Sequence, residues 1–154
     1  MFVSEYASPI GTLWLCSDGE MLTGLHFTHQ EGEWGEQLRL HKEAAAQLNE
    51  YFAGARTEFS LPLKPHGTPF QLAVWHVLTK IPYGETRSYG EIAAAVGNPK
   101  ASRAVGMANN RNPIAIIVPC HRVIGNTGRL VGYGSGLDKK IALLELERNH
   151  HDNG

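Results

Sequence analysis

Residues 87–113 read RSYGEIAAAVGNPKASRAVGMANNRNP, and they constrain the fold more than any other part of the chain. Ser88 followed three residues later by Glu91 is a capping box, so a helix starts at Tyr89. The apolar run carries it to Val96, where Gly97 is a natural stop. Asn98 then offers a new cap, with Pro99 at the first helical position. Two short helices joined by so tight a turn describe a helix-turn-helix. In the second helix Ala101, Ala104, Val105 and Ala108 fall at inward-packing spacing. Ser102, Arg103, Gly106, Asn109 and Asn110 face away. That outer face is small and polar with one long cation, which would let the backbone approach a nucleic-acid groove. Helical hairpins also occur in enzymes without DNA, so the motif alone leaves both readings open.

Charge distribution bears on the choice. The net charge is −1, yet residues 92–137 contain no Asp or Glu. They hold Lys100, Arg103, Arg111, Arg122 and Arg129, a local charge of +5. An anion-facing surface, such as one for phosphates, is the sharper reading; a Gly/Ala-rich core is the plainer one.

The rest of the chain reads as α+β. Three strands are expected in residues 1–28, with turns at Pro9-Ile10-Gly11 and Asp18-Gly19. Residues 29–37 read as a loop, and a helix is expected from about Lys42 to Phe52, closed by Gly54. Residues 55–68 look like a linker. Thr68, Pro69 and Gln71 begin another helix, with Phe70, Val74, Val77 and Leu78 along one face. Residues 114–118, IAIIV, read as a buried strand or extended segment. A glycine-rich loop spans 125–136. The last helix runs from Asp138 to about His150 and is expected to bury Leu137, Ile141 and Leu144. Two domains follow, 1–65 and 66–154.

No apolar run approaches the roughly 20 residues of a membrane span. The N-terminus lacks a basic region followed by an apolar stretch, so no secretory signal is expected and the protein is expected in the cytoplasm, nucleoid-associated if prokaryotic. Cys16 and Cys120 are the only cysteines, and an intracellular setting argues against pairing them. The eight histidines lack metal-ligand spacing, so no metal is expected.

Cys120 stands between Pro119 and His121-Arg122 at the end of the apolar run. A thiol attacks as its thiolate, and a neighbouring base or cation must help at neutral pH. Adjacent side chains diverge in an extended strand, so a tight turn after Pro119 is needed for His121 to serve Cys120. Glu145 and Glu147 are the acidic candidates for orienting His121. A small core cysteine is the plainer alternative, and Cys16 and His76 are read that way.

PCHRVIG, preceded by RNPIAIIV and followed by GYGSGLDKKIALLELE, resembles the O6-alkylguanine-DNA alkyltransferases, or methylated-DNA–protein-cysteine methyltransferases. The resemblance covers residues 68–147 and is looser over SPIGTLWLCSDGEMLTGLHF. It implies a small ribonuclease-H-like sheet-plus-helix domain before a mainly helical domain with the helix-turn-helix. It implies a monomer that needs no cofactor and binds double-stranded DNA carrying O6-alkylguanine. The alkyl group passes irreversibly to the protein's own cysteine, once per molecule, after the nucleotide flips out; O4-alkylthymine is left open as a second substrate.

The same resemblance assigns roles. Cys120 would be the acceptor, His121 the base acting through water, and Glu147 the acid that orients it. Asn112 would tie the helix-turn-helix to the active-site segment. Tyr89 would rotate the nucleotide and bond the flipped base. Arg103 would fill the gap left in the duplex, with Ser102, Lys100, Asn109, Arg111 and Arg122 as further DNA contacts. Tyr133, Gly134 and Ser135 would close over the guanine, with Val123 lining the pocket. Gly134 departs from the Ser or Ala often found there in relatives. The chief rivals are a non-catalytic binder of alkylated DNA, against which the presence of Cys120 argues, and a helix-turn-helix regulator. A cysteine hydrolase would leave the helix-turn-helix and the basic stretch unexplained.

Overall fold

A computed structural model describes residues 1–125 and 136–153. The chain forms two compact units, Met1–His66 and Gly67–Gly154.

The first unit is a four-stranded sheet covered by a helix. Strands β1 (Phe2–Ser8), β2 (Gly11–Ser17) and β3 (Leu22–His26) form an antiparallel meander in which Phe2 lies opposite Ser17 and Trp14 opposite His26. The Asp18 carboxylate accepts from the Glu20 and Met21 N–H groups at 2.9 and 2.8 Å, which explains the turn. A fourth strand, β4 (Glu33–Trp34), pairs parallel to β1 and completes the order β3-β2-β1-β4. The sequence reads this region as loop because glycines interrupt it. The glycine is what allows the pairing: a Cβ on Gly32 would lie 2.7 Å from the Met1 carbonyl oxygen.

Helix α1 spans Arg39–Phe52, three residues earlier than the apolar spacing indicates. Its buried face begins with Leu40 and His41. The His41 ring is bonded on both nitrogens, to Ser4 Oγ and Ser17 Oγ at 2.7 Å each, so a residue that reads as polar behaves as core. The segment expected to be a linker is tied down in part. Gln47 exchanges hydrogen bonds with the Ser60 backbone, and residues 62–64 bond to Leu22 on the edge of β3.

In the second unit, α2 (Pro69–Leu78) starts with the expected capping box at Thr68 and Gln71. Helix α3 (Tyr89–Ala95) starts with the box at Ser88 and Glu91, and Gly97 follows at φ +84°, a conformation glycine adopts without strain. The second helix of the pair starts later than expected. Asn98 and Pro99 form a turn in which the Asn98 carbonyl accepts from the Ala101 N–H at 3.0 Å, and α4 runs Ser102–Asn110. Proline suits the second position of such a turn as well as it suits a helix start. The Trp75 indole donates to the Ala108 carbonyl at 2.8 Å, pinning α2 to α4.

A short parallel ladder was not legible in the sequence. β5 (Arg87–Ser88) pairs with β6 (Val123–Ile124), Arg87 opposite Val123. It sets the start of α3, and hence Tyr89, beside the Cys120 turn. The final helix, α5, spans Leu137–Asn153.

Candidate active site

The segment before Cys120 is buried as expected but is not a strand. The Ile117 N–H donates to the Ala115 carbonyl at 2.8 Å, with Ile116 between them at φ +70°. This γ-turn has the rarer hand, and a β-branched residue there is strained, at a cost of about 1–3 kcal/mol. Pro119, at φ −81° and ψ 65°, forms a second γ-turn of the common hand, closed by the Cys120 N–H on the Val118 carbonyl at 2.8 Å. Asn112 holds the strained part. Its Oδ1 accepts from the Ile114 N–H at 3.0 Å, and its Nδ2 donates to the Ile114 and Val118 carbonyls at 3.3 and 2.8 Å. An extended strand would leave the thiol on a ladder; these turns lift Cys120 out of one.

Cys120–Arg122 then forms one 3-10 turn. Successive side chains diverge by about 120° in such a turn, so Cys120 and His121 point apart. His121 is buried, and its Nε2 lies 2.6 Å from Glu147 Oε2. Arg122 meets the same carboxylate side-on with one edge, Nε to Oε1 at 2.8 Å and Nη2 to Oε2 at 3.0 Å, and its Nη1 donates to the Ile81 carbonyl at 2.6 Å. The Gly84 N–H adds a longer bond to Oε1 at 3.4 Å.

The electrostatics assign the protons. Burial works to raise the Glu147 carboxyl, but His121 and the Arg122 guanidinium outweigh it and hold the acid well below the usual carboxylate range. Burial pushes His121 down, so its neutral form predominates, against the opposing pull of Glu147. A carboxylate facing Nε2 requires the proton there, which leaves the lone pair on Nδ1. That nitrogen is buried and has no hydrogen-bond partner among the described residues. It is a base held in one tautomer.

Tyr89 is half-buried, and the pKa of its hydroxyl is raised by burial and then by the charge of Cys120. A Cβ on Gly106 would lie 3.8 Å from the Tyr89 ring, so α4 closes one side. Asn109 corrects an expectation. It points inward and donates from Nδ2 to the Cys120 carbonyl at 3.2 Å, while Ala104, expected inside, is exposed. The buried stripe of α4 is Val105, Ala108 and Asn109, because the Cys120 carbonyl satisfies the Asn109 amide in the interior. Arg122 corrects another: it is an internal counter-ion to Glu147, not a surface cation for phosphates. Lys100, Arg103 and Arg111 are exposed, Ser102 is partly so, and Val123 is buried. Tyr133, Gly134, Ser135 and Arg129 lie outside the described residues.

Helix α5 departs most from the sequence pattern. Leu137 and Ile141, expected inside, are 42% and 37% exposed, and Leu144 is half-buried. The buried positions are Lys140, Leu143 and Glu147. Two charged residues, Lys140 and Glu147, thus share the inner stripe with Leu143, and Leu137 and Ile141 face outward. Ile141 and Leu144 line a hollow of about 400 Å³ with Ile124, Thr86 and Gly84, and Glu147 forms part of its wall. Sequence reasoning found Glu147 but missed Lys140.

The family model for the 6-O-methylguanine DNA methyltransferase DNA-binding domain matches residues 69–149, and that for the ribonuclease-like domain of the same proteins matches 1–65. The chain belongs to the 6-O-methylguanine DNA methyltransferase family. It is 54% identical over 153 residues to the methylated-DNA–protein-cysteine methyltransferase of Methanosarcina acetivorans, covering 96% of this chain and 98% of that one. It is 56% identical over 147 residues to that of Mycobacterium leprae, covering 92% and 89%. Among solved structures, Mycobacterium tuberculosis OGT in complex with DNA matches with a TM-score of 0.90 and 51% identity, covering 97% of this chain and 94% of that one. The family's two-part α+β organisation is therefore the fold of this chain. Among the described residues no cluster of His, Cys, Asp or Glu is arranged to hold a metal, and no helix is long and apolar enough to cross a membrane.

Proposed function

We propose that this protein repairs alkylated DNA by moving the alkyl group from O6 of guanine to the sulfur of Cys120. The observation that carries the reading is the Cys120–Arg122 turn, whose His121 is fixed by Glu147 with its free nitrogen as the base. The guanine flips out of the stack to be reached, with Arg103 on the exposed face of α4 filling the gap. Lys100 and Arg111, exposed on either side of α4, hold phosphates without reading sequence. His121 takes the thiol proton through a water. The thiolate attacks the alkyl carbon, the S–C bond forms as the C–O6 bond breaks, and the electron pair leaves with guanine. Tyr89 supplies the proton that neutralises the departing base. Asn112 and Asn109 act on the reaction only by holding the turns on which the sulfur sits. The product is a thioether, so each molecule acts once, as a monomer.

The test is Cys120→Ala. It abolishes alkyl transfer and leaves affinity for duplex DNA intact. Transfer that survives the substitution moves the acceptor elsewhere, and loss of DNA binding alongside it would make Cys120 a structural residue.

A further inference from the structure

His121 and Arg122 share the carboxylate of Glu147 in the interior of the second unit, and all three side chains are buried. Glu147 Oε2 accepts from His121 Nε2 at 2.6 Å and from Arg122 Nη2 at 3.0 Å. Oε1 accepts from Arg122 Nε at 2.8 Å and from the Gly84 N–H at 3.4 Å. The remaining guanidinium nitrogen, Nη1, donates to the Ile81 carbonyl, and the guanidinium carbon lies 5.7 Å from the centroid of the Tyr83 ring. The guanidinium is thus fixed on the oxygen that His121 also uses.

Counting charge gives Arg122 a role beyond that of a counter-ion. With a neutral imidazole the three groups sum to zero, and a proton on His121 brings them to +1. Without the guanidinium the same two states are −1 and zero. Uncompensated charge is costly in the interior, so a buried cluster settles in the protonation state nearest neutrality. Arg122 therefore decides whether the resting imidazole is empty or already protonated. The other groups around it do not reverse this. Burial pushes His121 down, Glu147 pulls it up, and Arg122 and then Lys140 on α5 push it down again. The hydroxyls of Tyr83 and Tyr89 are raised by burial and stay uncharged at neutral pH. Cys120, on the same turn, is the source of the proton that His121 takes.

We infer that Arg122 is a positioning residue that keeps His121 an empty base at rest, by neutralising the carboxylate that orients it. The inference rests on the reading of Cys120 as acceptor and His121 as base. With Arg122 in place, the thiol proton moves to His121 within the protein, so the resting and reactive states hold the same number of protons. The S–C bond forms as C–O6 breaks, and guanine leaves with the electron pair. The positively charged cluster then gives up its proton, which replaces the one Tyr89 gave to guanine. Without Arg122, His121 already carries a proton from solvent, and the thiol must lose its own to solvent before the sulfur attacks.

The experiment follows single-turnover methyl transfer from saturating duplex DNA carrying O6-methylguanine, by intact mass across pH, for wild type, Arg122→Met and Arg122→Lys. The wild-type rate is level through neutral pH, because its proton transfer is internal. The Arg122→Met rate rises about tenfold per pH unit until the thiol itself ionises, since one proton is now lost to solvent. Arg122→Lys keeps the charge and restores the level profile. Lost packing alone would lower the rate equally at every pH. Nitrogen-15 NMR of labelled histidine reads the imidazole directly, and Arg122→Met raises the His121 pKa by about 1–3 units. A level profile or an unshifted imidazole in folded Arg122→Met overturns the inference and leaves Cys120 as acceptor. Should Arg122→Met not fold, the wild-type spectrum decides: a neutral His121 with its proton on Nε2 at neutral pH supports the inference, and an imidazolium refutes it. Wild-type protein that gains no methyl group at Cys120 overturns the acceptor reading, while the His121 titration still decides the effect of Arg122.

Discussion

Glu147→Gln is the substitution whose consequences the structure defines best. The carboxylate is buried and accepts from His121, from two Arg122 nitrogens and from Gly84. A glutamine has nearly the same shape but no charge, and its NH2 would face one of these donors. The guanidinium of Arg122, itself buried, then loses its counter-ion, and its acceptors among the described residues are neutral ones: the glutamine oxygen, the Ile81 carbonyl and the Tyr83 ring face, 5.7 Å from its carbon. Removing one partner of a buried ion pair costs about 3–5 kcal/mol, chiefly through the charge left behind. Removing both costs far less. The second unit of Glu147→Gln should therefore unfold in urea with a loss in that range, and adding Arg122→Met should recover part of it. Strict additivity of the two single losses in the double variant would refute the reading of a mutually dependent pair. The pH dependence follows from the sign of the shift. The Glu147 pKa is depressed in the folded state, so its contribution is present above the unfolded value of about 4.3 and is lost as pH falls below it through the folded value. Wild type should lose stability across that acid range, and Glu147→Gln should lose less.

Other consequences are separable. Arg103→Ala should slow repair of duplex lesions by about tenfold or more, since each 1.4 kcal/mol of lost support for the flipped state is a factor of ten, and should spare the reaction with a free base; equal losses on both would remove Arg103 from flipping. Asn112→Ala removes the clamp on the Ile116 turn and should lower the rate through misplaced sulfur without altering the pH midpoint; a shifted midpoint would mean that Asn112 acts on the thiol's charge. His41 is lowered by burial, so its neutral form is favoured in the folded first unit. Stability of that unit should therefore fall as pH drops below the unfolded imidazole value of about 6.5, and a flat urea midpoint between pH 7 and 5 would contradict this.

The elements that local chemistry decides were legible in the sequence. Both capping boxes, the stop at Gly97 and the Asp18 turn stand where the residues place them. The errors have one physical source, which is polar groups satisfied in the interior. Asn109 and Arg122 read as surface residues and the apolar spacing gave His41 and Lys140 no inward place, yet Asn109, Arg122 and His41 each meet a partner far along the chain and Lys140 is buried. A pattern of apolar spacing carries no trace of such partners. It therefore misplaced the buried stripes of α4 and α5 by about one position each. The γ-turns at Ile116 and Pro119 were invisible for a related reason. IAIIV has the composition of a strand, and the Asn112 side chain together with local backbone bonds holds a tighter path. The motif around Cys120 identified the candidate chemistry, whereas the burial of Lys140 emerged only from the fold.

The central claim is tested most directly by intact mass after incubation with duplex DNA carrying O6-methylguanine. The account predicts a gain of one methyl group, about 14 Da, on the sulfur nucleophile. The gain maps to Cys120 and stops at one per molecule. An unmodified protein that still binds the lesion duplex tightly, or a methyl group found on any other residue, would contradict it.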